Sequence, residues 1–196
     1  MASSSPPNDP QVVHLDSRQI RTLAHPLRAR LLGQLRTAGP ATATMLAQAL
    51  DTNTGATSYH LRQLAEVGLV TEEPDRGTGR QRWWRAAHEL SSWRAADFDS
   101  DPDASAASDW IQRLQVSLFT EYAERWIAAQ HDHPRAWRET AGFSDYLLRI
   151  SPARLEAMQQ EIWQVIERYD RESTPDEPDA EKVMLLLAGF PRLDAR

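Results

Sequence analysis

Residues 54–70 read TGATSYHLRQLAEVGLV, and this stretch decides the fold of the first half of the chain. The spacing predicts a short helix that ends at Gly68, where a helix C-terminus favours a residue in the left-handed conformation. One face of this helix collects the small and apolar residues Thr57, Leu61, Leu64, Ala65 and Gly68. We therefore expect this face to pack on a core, and the chain to continue beyond it as a strand.

The opposite face of the same helix is polar and poor in acids. Tyr59 and Gln63 lie at its centre, and Ala56, His60 and Arg62 flank them. Such side chains can hydrogen-bond to base edges and phosphates in a major groove. Taken alone, the segment is better interpreted as an ordinary amphipathic surface helix, but its neighbours in the sequence favour DNA binding.

Three predicted helices precede this stretch. Asp16 or Ser17 can cap the segment SRQIRTLA, Pro26 suits the first position of PLRARLLGQLRTA, and Thr42 or Thr44 can cap ATMLAQAL. The tight polar turn DTNTG then leads into the helix that carries the polar face. Two short helices joined by such a turn are typical of a helix-turn-helix.

The segment that follows Gly68 predicts a basic β-hairpin. Strand-like LVTEE runs into the turn-rich PDRGTG and then into RQRWWRA. A solvated surface turn is the alternative, but the density of arginine beside a polar helix favours the wing of a winged helix. The predicted DNA-binding residues of helix and wing are Thr54, Ala56, Ser58, Tyr59, His60, Arg62, Gln63, Arg76, Arg80 and Arg82.

Charge is distributed unevenly along the chain. The net charge is −6, yet residues 1–96 hold 11 Arg and 8 acids (+3), which leaves −9 for residues 97–196. Because local potential governs DNA binding, the basic half stays compatible with it. The chain has no cysteine, which excludes thiolate metal sites and fits a cytoplasmic protein. We find neither a membrane span nor a signal peptide, and residues 1–14 are predicted to be a disordered tail.

Residues 17–90 resemble the DNA-binding domain of the ArsR (arsenic-resistance repressor) family of bacterial regulators. The matching pieces are LAHPLRARLLGQL, MLAQALDTNTGATSYHLRQLAEVGLV and the arginine-rich hairpin up to Trp84. The resemblance implies a dimeric, DNA-binding transcriptional regulator, usually a repressor that a ligand releases from DNA. Metal-sensing members carry a Cys-x-Cys box where this chain has LAQALD, so we expect no metal and no cofactor.

The second half of the sequence predicts a separate domain. An acidic linker is expected over 97–109, a long helix over 106–130 and another helix over 152–171, whereas FSDYLLRI (143–150) and KVMLLLAGF (182–190) resemble strands. The predicted fold class is therefore mainly α with small β. It combines a winged helix-turn-helix domain over 15–96 with a C-terminal α+β dimerisation or effector domain over 106–196.

Aromatic residues are dense in this second half. Most are expected in a core, but the same density suits a pocket for a small apolar effector. The candidate ligand-binding residues are Trp110, Tyr122, Trp126 and Trp163. Catalytic sequence motifs are missing, so we do not expect an enzyme.

Two functional hypotheses remain open from the sequence. The first is a homodimeric, sequence-specific regulator of double-stranded DNA that dimerises through the 106–130 helix, with the 17–24 segment as a second candidate contact. It would act as a repressor released by a small non-metal ligand. The second is a winged-helix protein-interaction module that no longer binds an operator. The acid-poor helix and the arginine-rich wing favour the first.

Overall fold

A computed structural model of the chain describes residues 12–74, 76, 81–174 and 178–192. The chain divides into two compact units, and each is described by itself. The first, Pro10–Ser117, is called the winged-helix unit; the second, which contains Leu118–Arg196, is called the C-terminal unit. Helix α5 passes from one to the other.

The elements of the described residues alternate helices with short strands and confirm a mostly helical chain with small sheets. In chain order they are β1 (Val12–His14), α1 (Ser17–Leu23), α2 (Pro26–Ala38), β2 (Ala41–Thr42), α3 (Ala43–Ala49), α4 (Thr54–Glu66), β3 (Val70–Glu72), β4 (Trp83–Ala86), β5 (Leu90–Ser92), a 3-10 turn (Ala95–Phe98), α5 (Pro102–Ala129), a second 3-10 turn (Gln130–Asp132), α6 (Arg135–Thr140) and α7 (Pro152–Glu172). None of these helices is long and apolar enough to cross a membrane.

Side chains at the helix starts explain where α1 to α4 begin. Asp16 forms a capping box with Gln19, His25 precedes Pro26 and caps α2, and Thr42 caps α3. Asn53 accepts a hydrogen bond from the backbone N–H of Ala56 and caps α4. These caps satisfy backbone donors that the first helical turn leaves free. The helix starts predicted around Asp16, Pro26 and Thr42 are confirmed.

Two small sheets complete the winged-helix unit. The three-stranded sheet has the order β2-β4-β3, and both pairs are antiparallel. In it Val70 pairs with Ala86 and Glu72 with Trp84, so β3 and β4 form the predicted wing hairpin. The second sheet, which the sequence did not predict, pairs β1 with β5 in parallel. The prediction of a disordered tail over 1–14 is therefore wrong for residues 12–14, because their backbone pairs with β5. Gly68, with φ +72, makes the turn between α4 and β3 as expected.

The core of the winged-helix unit reaches further along the chain than predicted. Phe98, Ala104 and Ile111 are buried in it together with the leucines of α1 to α4. The acidic segment 97–109 is therefore not a linker, because Phe98, Ala104 and Ala107 pack in this core. Asp101 accepts a hydrogen bond from the Ala104 N–H and starts α5.

The C-terminal unit differs from the sequence prediction in its strands. The helix predicted over 152–171 is confirmed as α7, capped by Ser151. Residues 143–150 and 182–190, however, are neither helix nor strand. The predicted antiparallel pair is wrong because a strand requires a hydrogen-bonded neighbour, and these two segments do not pair with each other.

Candidate nucleic-acid interface

Helix α4 presents two contrasting faces, as its sequence predicts. Thr57, Leu61 and Leu64 are fully buried. The Thr57 hydroxyl donates to the Asn53 carbonyl, which removes the need for a polar partner in the core. On the other side the Tyr59 side chain is 54% exposed, and Arg62 is also exposed. The helix is thus fixed by its apolar stripe, with the polar face turned outward.

The candidate base-reading and backbone-contacting side chains of α4 bond within the helix itself. Arg62 donates from Nε to the Ser58 carbonyl at 3.1 Å. Gln63 donates from Nε2 to the Glu66 carboxylate at 3.1 Å and is half-buried. Both are surface interactions of small net free energy, so these donors can exchange their partners for a base or a phosphate.

His60 lies elsewhere than the sequence suggested. Its ring packs against that of His25, with 4.4 Å between the centroids and the planes tilted by 38°. Its Nδ1 is buried without a hydrogen-bond partner among the described residues. His25 in turn accepts the Leu27 N–H on its own Nδ1. Burial, followed by the positive charge of Arg28, lowers the pKa of His25 below its ordinary 6.5. Burial, then His25 and Arg28, lowers the pKa of His60 in the same way.

A polar groove runs between α3, α4 and the wing, with a volume of about 380 Å³. Arg62 of α4 and Arg82 next to β4 both line it, and hydroxyl side chains supply further donors. The complete lining is Thr42, Ala43, Thr44, Thr54, Ser58, Arg62, Gln81, Arg82 and Trp84. Two guanidinium groups and several hydroxyls around one concavity are the donors that bind a phosphate oxygen.

The described wing arginines are ion-paired, Arg82 across the hairpin and Arg76 with a residue three positions before it. Arg82 binds Glu72 at 2.8 Å, and Arg76 lies 3.4 Å from Glu73 with its guanidinium 5.0 Å from the centre of the Trp83 ring. Exposed pairs of this kind are worth about 0–1 kcal/mol, so a phosphate can displace the carboxylate. Arg80, the third wing arginine of the prediction, lies outside the described residues.

The structure adds lining residues that sequence reasoning missed. Thr42 was considered only as a helix cap, yet it also pairs with Trp83 and borders the groove. Thr44, Gln81 and Trp84 were not assigned to DNA binding. Their position depends on β2 joining the wing sheet, and a two-residue strand leaves little signal in a sequence. Of the predicted set, Ala56 is half-buried beside its cap, and Thr54 is exposed at the groove.

The four candidate ligand-binding residues have different surroundings. Trp110 packs on the core of the winged-helix unit. In the C-terminal unit Tyr122 and Trp163 are exposed, and the Trp126 ring lies 5.0 Å from that of His133. Within the described residues, no group of three or more His, Cys, Asp or Glu is arranged to hold a metal ion.

The chain has recognisable relatives. A family model described as a helix-turn-helix domain matches residues 23–73. A possible transcriptional regulator for arsenical resistance is 31% identical, covering 60% of this chain and 98% of its own, with a TM-score of 0.31. The homodimeric winged helix-turn-helix DNA-binding domain of Mb0332 from Mycobacterium bovis, a possible ArsR-family regulator, is 22% identical over 52% of this chain and 76% of its own, with a TM-score of 0.34.

A third solved structure, RV1404 from Mycobacterium tuberculosis, is 12% identical over 77% of this chain and 80% of its own, with a TM-score of 0.32. No curated protein matches the chain. The helix-turn-helix part of the resemblance seen in the sequence is thereby confirmed, and the chain carries a helix-turn-helix domain similar to those of ArsR-family winged helix-turn-helix regulators.

Proposed function

We propose that the protein is a homodimeric, sequence-specific regulator that inserts α4 into the major groove of double-stranded DNA and rests its wing on the adjacent backbone. The observation that carries this proposal is the groove in which Arg62 and Arg82 flank a row of hydroxyl donors. A DNA phosphate in this groove would lie between helix and wing. The exposed side of α4, with Tyr59 and Gln63, would then face the base edges.

Each side chain has a distinct task in this arrangement. Arg62 and Arg82 neutralise backbone phosphates, while Thr54 and Ser58 donate from the start of the helix. Gln63 pairs bidentately with an adenine once it leaves Glu66. His60 is held by His25 and contributes to the position of α4 rather than to a phosphate contact. Arg76 stays on the wing as a further phosphate contact, and Arg80 is proposed with it from sequence alone.

The homodimer follows from the way a winged helix reads DNA. One such unit contacts a single half-site, and two copies related by a two-fold axis read a palindrome. As the resemblance implies, we propose that the dimer acts as a repressor released by a small ligand. The absence of cysteine from LAQALD favours a non-metal effector, and the exposed aromatics of the C-terminal unit favour an apolar one. Effector and operator should then weaken each other's binding by the same factor.

The test measures the salt dependence of DNA affinity by fluorescence anisotropy, on an operator selected from random oligonucleotides. Arg82→Ala should weaken binding to operator and random DNA alike and flatten the log–log salt slope by about one unit. Arg125→Ala removes the same charge from an exposed pair in the C-terminal unit and serves as the matched control. An unchanged slope in Arg82→Ala would remove the wing from the interface. Failure of the wild-type protein to bind any DNA would favour the protein-interaction module.

A further inference from the structure

The hydrophobic core of this chain stops at Ile111. Beyond it, none of the residues 112–174 and 178–192 is buried. The winged-helix unit up to Ile111 exposes only Val12, Met45 and Tyr59 among its described large apolar side chains. Eighteen such side chains are exposed between Val116 and Phe190. A stretch of this composition cannot remain stable in water with its apolar side chains uncovered.

The exposed apolar side chains belong to two kinds of element. One kind is helical, on the second part of α5 and on α7; the other is extended, over 143–150 and 183–190. The helical members are Val116, Leu118, Phe119, Tyr122, Ile127, Trp163, Val165 and Tyr169, and the extended members are Phe143, Tyr146, Leu147, Leu148, Val183, Met184, Leu185, Leu186, Leu187 and Phe190.

The area of this surface distinguishes between the possible occupants. At roughly 200 Å² for a fully exposed large side chain, these residues present on the order of 2,000 Å². The largest apolar patch of a typical monomer is about 300–600 Å². Covering half of the surface on each of two copies would bury about 2,000 Å² in total, which is the range of obligate homodimers. A small effector fills a pocket of about 300–1,000 Å³ and leaves most of this surface in water.

The backbone of the extended segments also favours a second copy of this chain as the partner that covers them. Among the described residues, no backbone hydrogen bond links 143–150 or 183–190 to another segment. The run VMLLLAGF is short, almost entirely apolar and followed by Pro191, and its C-terminal end already lies on α7. There a Cβ added to Gly189 would stand 3.5 Å from a methyl carbon of Leu155. A second copy brings an identical strand, which can pair antiparallel across a two-fold axis.

We propose that the C-terminal units of two copies fold together into one shared core, in which the 183–190 segment of each copy is covered by the other copy. This inference rests on the homodimer of the proposed function and names the surface that forms it. It places dimerisation beyond Ile111, where the core of the winged-helix unit ends, on the second part of α5, on α7 and on the two extended segments. It also explains why segments that are strand-like in sequence are not strands within a single chain.

The first test follows the wild-type full-length chain by amide hydrogen exchange at protein concentrations above and below the dissociation constant, with sedimentation run in parallel. Exchange of the 183–190 amides should slow by more than about tenfold as the dimer forms. Amides of α2 and α4 serve as an internal reference and should not change. Three results overturn the proposal: a monomer at every concentration, a dimer with unprotected 183–190 amides, or protection that appears only when another protein or an apolar compound is added.

The second test uses charge substitution. Leu185→Asp should raise the dimer dissociation constant by at least about 100-fold, because the carboxylate would be buried without a partner. Val12→Asp places the same charge on an equally apolar, exposed position outside the C-terminal unit and should leave the constant unchanged. An unchanged constant in Leu185→Asp would overturn the proposal, and so would an equal loss in Val12→Asp.

DNA binding separates this inference from the proposed function. If the shared core is correct, Leu185→Asp keeps the affinity for a single half-site and loses the tighter binding to the two-half-site operator. Equal wild-type and variant affinities on both DNAs would overturn the shared core and leave DNA binding intact. Failure of the wild-type protein to bind even a half-site would overturn the DNA-binding proposal instead, and the hydrogen-exchange result would still decide the shared core.

Discussion

Leucine side chains are largely buried in one unit of this chain and largely exposed in the other. In the winged-helix unit Leu31, Leu61 and Leu64 are completely buried, whereas Leu185 and Leu187 of the C-terminal unit are 65% and 55% exposed. Both units have capped helices with apolar stripes, so the local sequence signals for helices do not explain this difference in burial. The difference is that the apolar faces of the winged-helix unit are covered by other elements of the same chain, whereas those of the C-terminal unit are not. An amphipathic pattern therefore predicts that a face will be covered, and does not say by which chain.

The largest expected effect is on the free energy of unfolding, and it appears when one leucine from each unit is replaced by alanine. Leu61→Ala should lower the free energy of unfolding of the winged-helix unit by roughly 2–5 kcal/mol, because it leaves a cavity in a closed core. Leu186→Ala should cost far less at concentrations where the chain is monomeric, and its cost should grow as the dimer forms. Urea unfolding at several protein concentrations measures both. A concentration-independent loss of several kcal/mol in Leu186→Ala would mean that the C-terminal unit has a core of its own.

A second comparison locates base specificity in one unit. Gln63→Ala should cost roughly 1–3 kcal/mol on the preferred operator and relax the preference at one base pair of each half-site. Arg62→Ala should lower the affinity for operator and random DNA together. Leu186→Ala should leave the base preference as it is, since its unit contacts no bases in our proposal. Competition binding on operators changed at single base pairs gives the three profiles. Equal losses on both DNAs for Gln63→Ala would instead turn the reading face toward Arg62 and Glu66.

Helix caps provide a smaller comparison. Asn53→Ala removes the acceptor for the Ala56 N–H and should cost about 1 kcal/mol in the unfolding of the winged-helix unit. Ser151→Ala removes the same kind of cap from α7, so its cost should appear only in the hydrogen exchange of the C-terminal unit. If both substitutions destabilise both units equally, the chain unfolds as one cooperative body.

The mildest effect is a pH dependence confined to the winged-helix unit. Because burial lowers the pKa of His25 and His60, the unfolded chain binds more protons than the folded one below pH 6.5. The stabilisation from the neutral rings should be complete above 6.5 and should be lost as the pH falls toward their lowered folded values. The charged group nearest the pair is Arg28, with Tyr59 against the His60 ring, and neither compensates an added positive charge.

Unfolding of the winged-helix unit measured across this pH range tests the prediction. His60→Gln should flatten the profile. His131→Gln, in the C-terminal unit, is the control for loss of one histidine and should leave the slope of the wild type. A wild-type profile that is flat, or that rises toward acid, contradicts the assignment.

The parts of the fold that sequence predicted well are those with local signals. The polar turn DTNTG, the left-handed residue Gly68 and the strand-like runs on either side of the wing act over a few residues, so α4 and the two hairpin strands could be placed without tertiary information. The orientation of His60 depends on His25, which caps another helix, α2. The composition of segment 97–109 predicts a linker, whereas Phe98, Ala104 and Ala107 pack in the core of the winged-helix unit. The groove forms only where α3, α4 and the wing come together, and no single sequence motif predicts that arrangement.

Trp84 gives the molecule a built-in optical reporter. Its indole is only 4% exposed and yet borders the groove, whereas Trp163 is 46% exposed. A water-soluble collisional quencher should therefore reach Trp163 readily and Trp84 hardly at all. A variant that keeps a single one of the seven tryptophans, either Trp84 or Trp163, would emit from one known environment. The Trp84 variant would report occupation of the groove and the Trp163 variant would report covering of the C-terminal unit, in both cases without an attached dye.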